Sequence, residues 1–372
     1  MRRSRDRSFA STLARPLGFG LALALVVVTG VSIAEACGGF FRPRGLSPEQ
    51  QPSLSREKVL LIHDSKTGRQ HFVREVAFAR ASEPFGFVVP TPTRPEVEAV
   101  EVTPFTKLRE QFPFTPPIIG RGGGGKGGGS GSGYGRGPGV TVLEQKQVGS
   151  FTAFVLAATD AGALAKWLDD NQLVSTPEAD EWLAHYVALG FYYVAMRYDP
   201  SAADEPEAGQ ALLKPVSAET MRISFDTPLP YYPYLEPDKP EAARAGLDPR
   251  LMELWYVGLR EVEPLALYKP EGEAQGRWVQ PLAAGEVYEA RREIIEAMFE
   301  PELRELLPEG ALVVQTFQDQ KNVRSGFADI VFAPSSPMEL TADQTEALMP
   351  MLALLDPALT PPAPEPKPGD QP

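Results

Sequence analysis

Cysteine is all but missing from this chain of 372 residues: Cys37 stands alone, so the sequence closes no intrachain disulfide and builds no cysteine-based zinc site. Histidine is nearly as scarce, with only His63, His71 and His185. Positive charge is in deficit, 36 Lys and Arg against 49 Asp and Glu, for a net charge of −13. So acidic a chain repels phosphate backbones and anionic headgroups, which argues against a nucleic-acid partner. Long apolar runs are also wanting. The one near the N-terminus, Leu17–Val31, has 15 residues, short of a comfortable membrane span. Hydrophobic residues nevertheless make up 43% of the chain, a globular value that excludes wholesale disorder.

What is present begins with an export pattern. Five arginines precede the apolar run, and the small residues Ser32, Ala34 and Ala36 follow it. Basic, apolar, small is the order of a secretory signal peptide, read here as residues 1–36. Two cuts fit: one after Ala34 releases Glu35, the other after Ala36 releases Cys37. The second opens lipidation of Cys37, against which Glu35 counts, since a small residue belongs two places before a lipidated Cys. Without residues 1–36, which hold five Arg and two acids, 36 basic and 49 acidic groups become 31 and 47, and the net charge goes from −13 to −16.

Two segments are of low complexity. Gly120–Gly139 holds 13 of the 33 glycines and no aliphatic side chain, so it reads as a flexible insert. Pro357–Pro372 holds seven prolines and reads as an extended, disordered tail, either a spacer or a ligand for another domain. Elsewhere apolar periodicity predicts hairpins over Val59–His63 with Gln70–Ala79 and over Thr141–Gln147 with Phe151–Ala157. Strands are expected at Phe85–Pro90, Phe191–Tyr198, Ala218–Phe225, Leu251–Leu259, Ala311–Phe317 and Ala328–Phe332. Helices are expected at Ala161–Asn171 behind Asp160, after Thr176-Pro177, at Ala284–Leu306 and at Thr341–Leu355. Strand pairs interleaved with helices, without regular alternation, predict an α+β fold of antiparallel hairpins and mixed sheet with several packed helices. Its expected divisions are a β-rich part over 37–119, the insert over 120–139, the main α+β region over 140–335, a C-terminal helix over 336–356, and the tail.

Several segments occur together in a telling order: Cys37-Gly38-Gly39-Phe40-Phe41, Phe85-Gly86-Phe87-Val88-Val89-Pro90, Val140–Asn171, Tyr186–Arg197 and Ile223–Tyr234. In these the chain resembles the bacterial secreted-protein family catalogued as Domain of Unknown Function 2330, over most of residues 37–335. The resemblance implies export and brings no activity, ligand or catalytic residue. It often implies a second Cys after the Phe pair. Arg42 stands there, so Cys37 is left free, lipidated or intermolecular.

Candidate chemistry is sparse. His63 and His71 flank the first hairpin turn, and Glu75 shares a strand face with His71, which together offer an open metal site if the register brings them together, or solvated turn residues if it does not. Gly120–Lys126 matches the opening of a phosphate loop, but Gly127 replaces the Ser or Thr that would hold magnesium. Gly129-Ser130-Gly131-Ser132-Gly133 has the letters of a nucleophile elbow in a tract with no strand-to-helix turn. Tyr231, Tyr232 and Tyr234, rimmed by prolines, are the leading binding candidates: exposed, they would stack on a glycan or a partner's proline-rich segment; otherwise they pack on a sheet. No catalytic residue and no cofactor is expected.

The sequence therefore predicts an exported protein of the periplasm, cell envelope or extracellular space. It is expected to act without catalysis, by binding or assembly with an envelope protein or glycan, and to meet the membrane only through its signal peptide or a lipid anchor. The alternative is a secreted hydrolase using carboxylates, which requires two acids facing one pocket with at least one desolvated.

Overall fold

The computed structural model describes residues 39–41, 53–79, 84–114, 139–171, 173, 175–198, 216–217, 219–237, 250–269, 276–321, 324, 326–335 and 341–346. Residues 1–36, read above as a signal peptide, Cys37, the Pro-rich tail and all of the Gly-rich insert but Gly139 lie outside these residues.

The two hairpins form where the alternation places them. β2 (Ser53–Asp64) and β3 (Arg69–Ala79) are joined through Gly68, whose φ of 75° suits the turn. β6 (Val140–Val148) and β7 (Phe151–Ala158) are joined by two residues, with Gly149 at φ 56°. Both expected caps are made. The Asp160 carboxylate accepts from Ala163 N at 2.6 Å at the start of α2 (Ala161–Asp170), and Thr176 Oγ1 accepts from Ala179 N at 3.2 Å before α3 (Pro177–Ala188).

Among the described residues strands dominate, in three sheets. In the first, β1 (Gly39–Phe41), β4 (Phe85–Thr91), β8 (Tyr192–Tyr198), β7 and β6 lie side by side, all antiparallel. The second, with eight strands, runs β15 (Ala283–Tyr288), β16 (Val313–Asp319), β12 (Leu251–Gly258), β2, β3, β10 (Met221–Asp226), β5 (Glu96–Ala99), and β9 (Val216–Ser217) also pairs with β3. Its β2–β12 pair is parallel, which makes the sheet mixed. The third is β11 (Tyr231–Tyr232), β17 (Ile330–Pro334), β13 (Val262–Tyr268) and β14 (Arg277–Val279).

The large sheet divides the interior because successive side chains point to opposite faces. Leu60, Ile62, Val73, Trp255 and Val257 face α1 (Phe105–Gln111), α4 (Arg292–Glu296) and α5 (Pro301–Arg304), which contribute Phe105, Leu108, Ile295 and Leu303. Val59, Leu61, Phe72, Val76 and Phe78 face the other two sheets. Phe78 meets Phe85 of β4, while Tyr256 and Phe317 meet Phe332 of β17. The far face of the five-stranded sheet carries α2 and α3 through Leu164, Leu168 and Leu183.

The helix expected over Ala284–Leu306 is replaced by β15 and two short helices, α4 and α5. Pairing with β16 decides the difference: Val287 and Tyr288 join Gln315 and Val314, and a Cβ on Gly285 would lie 2.3 Å from Thr316 Oγ1. Of the helix expected at Thr341–Leu355, residues 342–346 are helical and the rest lies outside the described residues. The parts before and after the Gly-rich insert share sheets: β10 lies between β3 and β5, and β4 lies between β1 and β8.

Candidate functional site

The Thr227–Pro237 stretch threads between the sheets, and its tyrosines do not form a surface. Tyr231, Tyr232 and Tyr234 are each 0% exposed. This corrects the expectation of exposed rings for stacking: two residues pair with β17 as β11, and the rings are consumed by the core. Tyr232 packs edge-on against Phe72 and Tyr234 against Phe327. The side chain of Gln70 acts as a piece of β-ladder, its Oε1 accepting from Tyr231 N and its Nε2 donating to Tyr231 O, both at 2.7 Å.

Each hydroxyl ends on a buried carboxylate, as a desolvated phenol requires a partner. Tyr231 and Tyr186 donate to Asp329 Oδ2 at 2.6 and 2.7 Å, while the amides of Tyr234 and Leu235 donate to Oδ1 at 2.7 Å each. Burial pushes the Asp329 carboxyl up from 3.8 to about 6, and the four donors pull against it. Burial, together with the nearby Asp329 carboxylate, raises the Tyr186 and Tyr231 phenols as well. Tyr234 donates to Asp319 at 2.9 Å and Tyr232 to Glu57 at 3.0 Å.

Three buried arginines balance the remaining acids. Arg324 lies over the Tyr234 ring at 4.1 Å, pairs with Asp319 at 3.1 Å, and lies 3.4 Å from Glu236, which Arg250 meets at 2.7 Å. Arg74 pairs with Glu57 at 2.8 Å and covers the Phe87 ring. Asp319 shows how the contest goes when cations are near. Burial pushes its carboxyl up, but Arg324 and Lys321 bring it below the ordinary value.

The proposed metal ligands are not brought together. His63 is opposite Gln70 and His71 is opposite Ile62, so the two rings occupy opposite faces of the sheet. His63 is buried with Nε2 on Thr227 O at 3.0 Å, and His71 Nδ1 meets Ser224 Oγ at 2.8 Å. Burial lowers both from 6.5 to about 4; the Arg222 and Arg69 charges add to the effect at His71. Glu75 shares the face of His71, as expected, but is four residues along the strand, roughly 13 Å away at the usual rise. There it engages Lys58 at 2.5 Å and Thr103 at 2.8 Å. Among the described residues no three His, Cys, Asp or Glu side chains converge. Cys37 lies outside the described residues.

Asp329, Asp319, Arg324, Glu57 and Arg74 escaped the sequence reading. One signal was available: in Gln70-x-Phe72-x-Arg74-x-Val76-x-Phe78 two polar residues occupy core-facing register.

The segments in which the chain resembles the family also meet in space. Gly39–Phe41 pairs with Gly86–Val88, which pairs with Ala195–Arg197, and α2 and α3 cover that sheet. Gly39 fits beneath the Trp182 ring, where a Cβ would lie 2.8 Å from it. The model of a family described as "uncharacterized protein conserved in bacteria", Domain of Unknown Function 2330, matches residues 31–235, more than half of the chain. The chain belongs to this family. The matched region supplies the whole five-stranded sheet, α2, α3 and the tyrosine segment. No curated protein matches the chain. Among solved structures, the crystal structure of baculovirus P35 is similar at 8% identity and a TM-score of 0.33, over 77% of this chain and 98% of that one.

Proposed function

We propose that this protein is exported to the cell envelope and acts there by binding or assembly rather than by catalysis. The observation that carries the reading is the state of Asp329, whose carboxyl is raised as a general acid's would be. Both of its oxygens are engaged by four protein donors, which leaves it neither a lone pair for a substrate nor a path to water. A carboxylate held this way serves to fix the tyrosine segment against β17. The basic, apolar and small segments at the N-terminus support export, and a cut at Ala36 would leave Cys37 two residues ahead of β1.

The test is the intact mass of the protein recovered from membrane and soluble fractions of its native host, followed by cross-linking in intact envelopes. A chain processed at Glu35 or Cys37 and cross-linked to an envelope component is the expected result. An unprocessed chain in the cytoplasm would overturn the reading.

A further inference from the structure

We propose that the chain pairs with a second copy of itself through β6, in a two-fold antiparallel ladder centred on Gln145 that joins two five-stranded sheets into one of ten. The inference deepens the assembly reading above and rests on it. β6 is an edge strand of nine residues, whereas β1 at the other edge of the same sheet has three. Thr141, Val142, Glu144, Gln145, Lys146 and Gln147 are exposed, and 45% of Val142 is open to solvent. An exposed edge of this length is a template for another strand.

The backbone sets which registers are open. In a two-residue hairpin the flanking residues, here Val148 and Phe151, exchange both hydrogen bonds, so alternate residues turn theirs inward and outward. Lys146 and Glu144 therefore bond to β7, while Gln147 and Gln145 present theirs to the open edge. Outward groups must meet outward groups, so the two-fold falls on a residue rather than between two, and sets that residue opposite its own copy.

Charge then selects among them. With the two-fold at Gln145, Glu144 of each copy is opposite Lys146 of the other, giving two ion pairs across the seam. A two-fold at Lys146 would set lysine against lysine, and one at Glu144 would set glutamate against glutamate. Neither Glu144 nor Lys146 has an ionic partner among the described residues. The sequence Glu-Gln-Lys is thus its own antiparallel complement. The bulge between Val142 and Glu144 bends β6 at the end of this short ladder, which confines pairing to about the five residues 143–147.

Sedimentation velocity of the protein purified from its native host, over a dilution series, tests the proposal with three variants. The unmodified protein is expected to sediment at twice the chain mass and to dissociate on dilution. Lys146→Glu and Glu144→Lys are each expected to weaken the dimer by about tenfold or more, since each sets like charges opposite in both halves. The double variant Glu144→Lys/Lys146→Glu restores the pairs in exchanged positions and is expected to recover the dimer. That recovery separates pairing from misfolding. A protein monomeric at every concentration overturns the proposal, as does a dimer indifferent to both single variants. A monomer that still cross-links to another envelope component would remove the β6 interface and leave the proposed function standing.

Discussion

Replacing Asp329 with Ala strands four buried donors at once: the Tyr186 and Tyr231 hydroxyls and the Tyr234 and Leu235 amides. A buried donor without a partner costs about 1–3 kcal/mol. The amides are fixed by the backbone and are assigned about 2 kcal/mol each, the hydroxyls can rotate and are assigned about 1 each, so the total is about 6 kcal/mol. Against this stands the relief of removing a charge from the interior. The sign follows from the raised pKa. Asp329 contributes stability in full below its unfolded value of 3.8, and that contribution is lost as pH rises through about 6. The shift amounts to about 3 kcal/mol at 1.36 kcal/mol per pH unit. Asp329→Ala is therefore expected to cost about 6 kcal/mol at pH 4 and about 3 kcal/mol at pH 7. Urea unfolding at the two pH values, followed by tryptophan fluorescence, gives the difference directly, because the histidines titrate alike in both proteins. Asp329→Asn keeps an acceptor for the amides and has no charge to lose, so its deficit should be smaller and should narrow in the same direction. An Asp329→Ala protein within 1 kcal/mol of the parent at pH 4, or a deficit that widens with pH, would refute the reasoning.

Three further outcomes follow from the same interior. His63, lowered from 6.5 to about 4, contributes stability above pH 6.5 that is lost as pH falls through about 4, some 3 kcal/mol; His63→Gln should flatten acid destabilisation in melts between pH 7 and 4. Arg74→Met takes the cation from the buried Glu57 carboxylate, which keeps the Tyr232 hydroxyl, and is expected to cost about 3–5 kcal/mol, with much of it recovered in Arg74→Met/Glu57→Gln, measured by chemical denaturation. Gly86→Ala places a Cβ 2.6 Å from Met196 O and 2.7 Å from the Leu173 side chain, so it should cost about 2 kcal/mol or more, whereas Gly190→Ala meets no atom within 4 Å and should cost about 1 from its φ of 71°. An inverted order of melting temperatures would show that the packing of β4 against β8 and Leu173 is looser than these distances imply.

Local signals were legible in the amino-acid sequence alone. Alternation located both hairpins, Asp160 and Thr176 marked two helix starts, and the apolar run Phe85–Pro90 read as the buried strand that β4 forms. The family assignment rests on segments of the same kind. What the tertiary structure decided is whatever depends on a partner far away. Three tyrosines in four residues look the same inside or outside a fold. They are inside because Asp329 lies 98 residues from Tyr231 and Glu57 lies 175 residues from Tyr232, each ready to accept a phenol. His63 and His71 are neighbours across one turn of the chain and are separated by the sheet, because a register fixed at Ile62–His71 sends the two rings opposite ways. Residues 283–288 have helical neighbours in sequence and a strand beside them in space, and the hydrogen bonds offered by β16 outweigh the local preference.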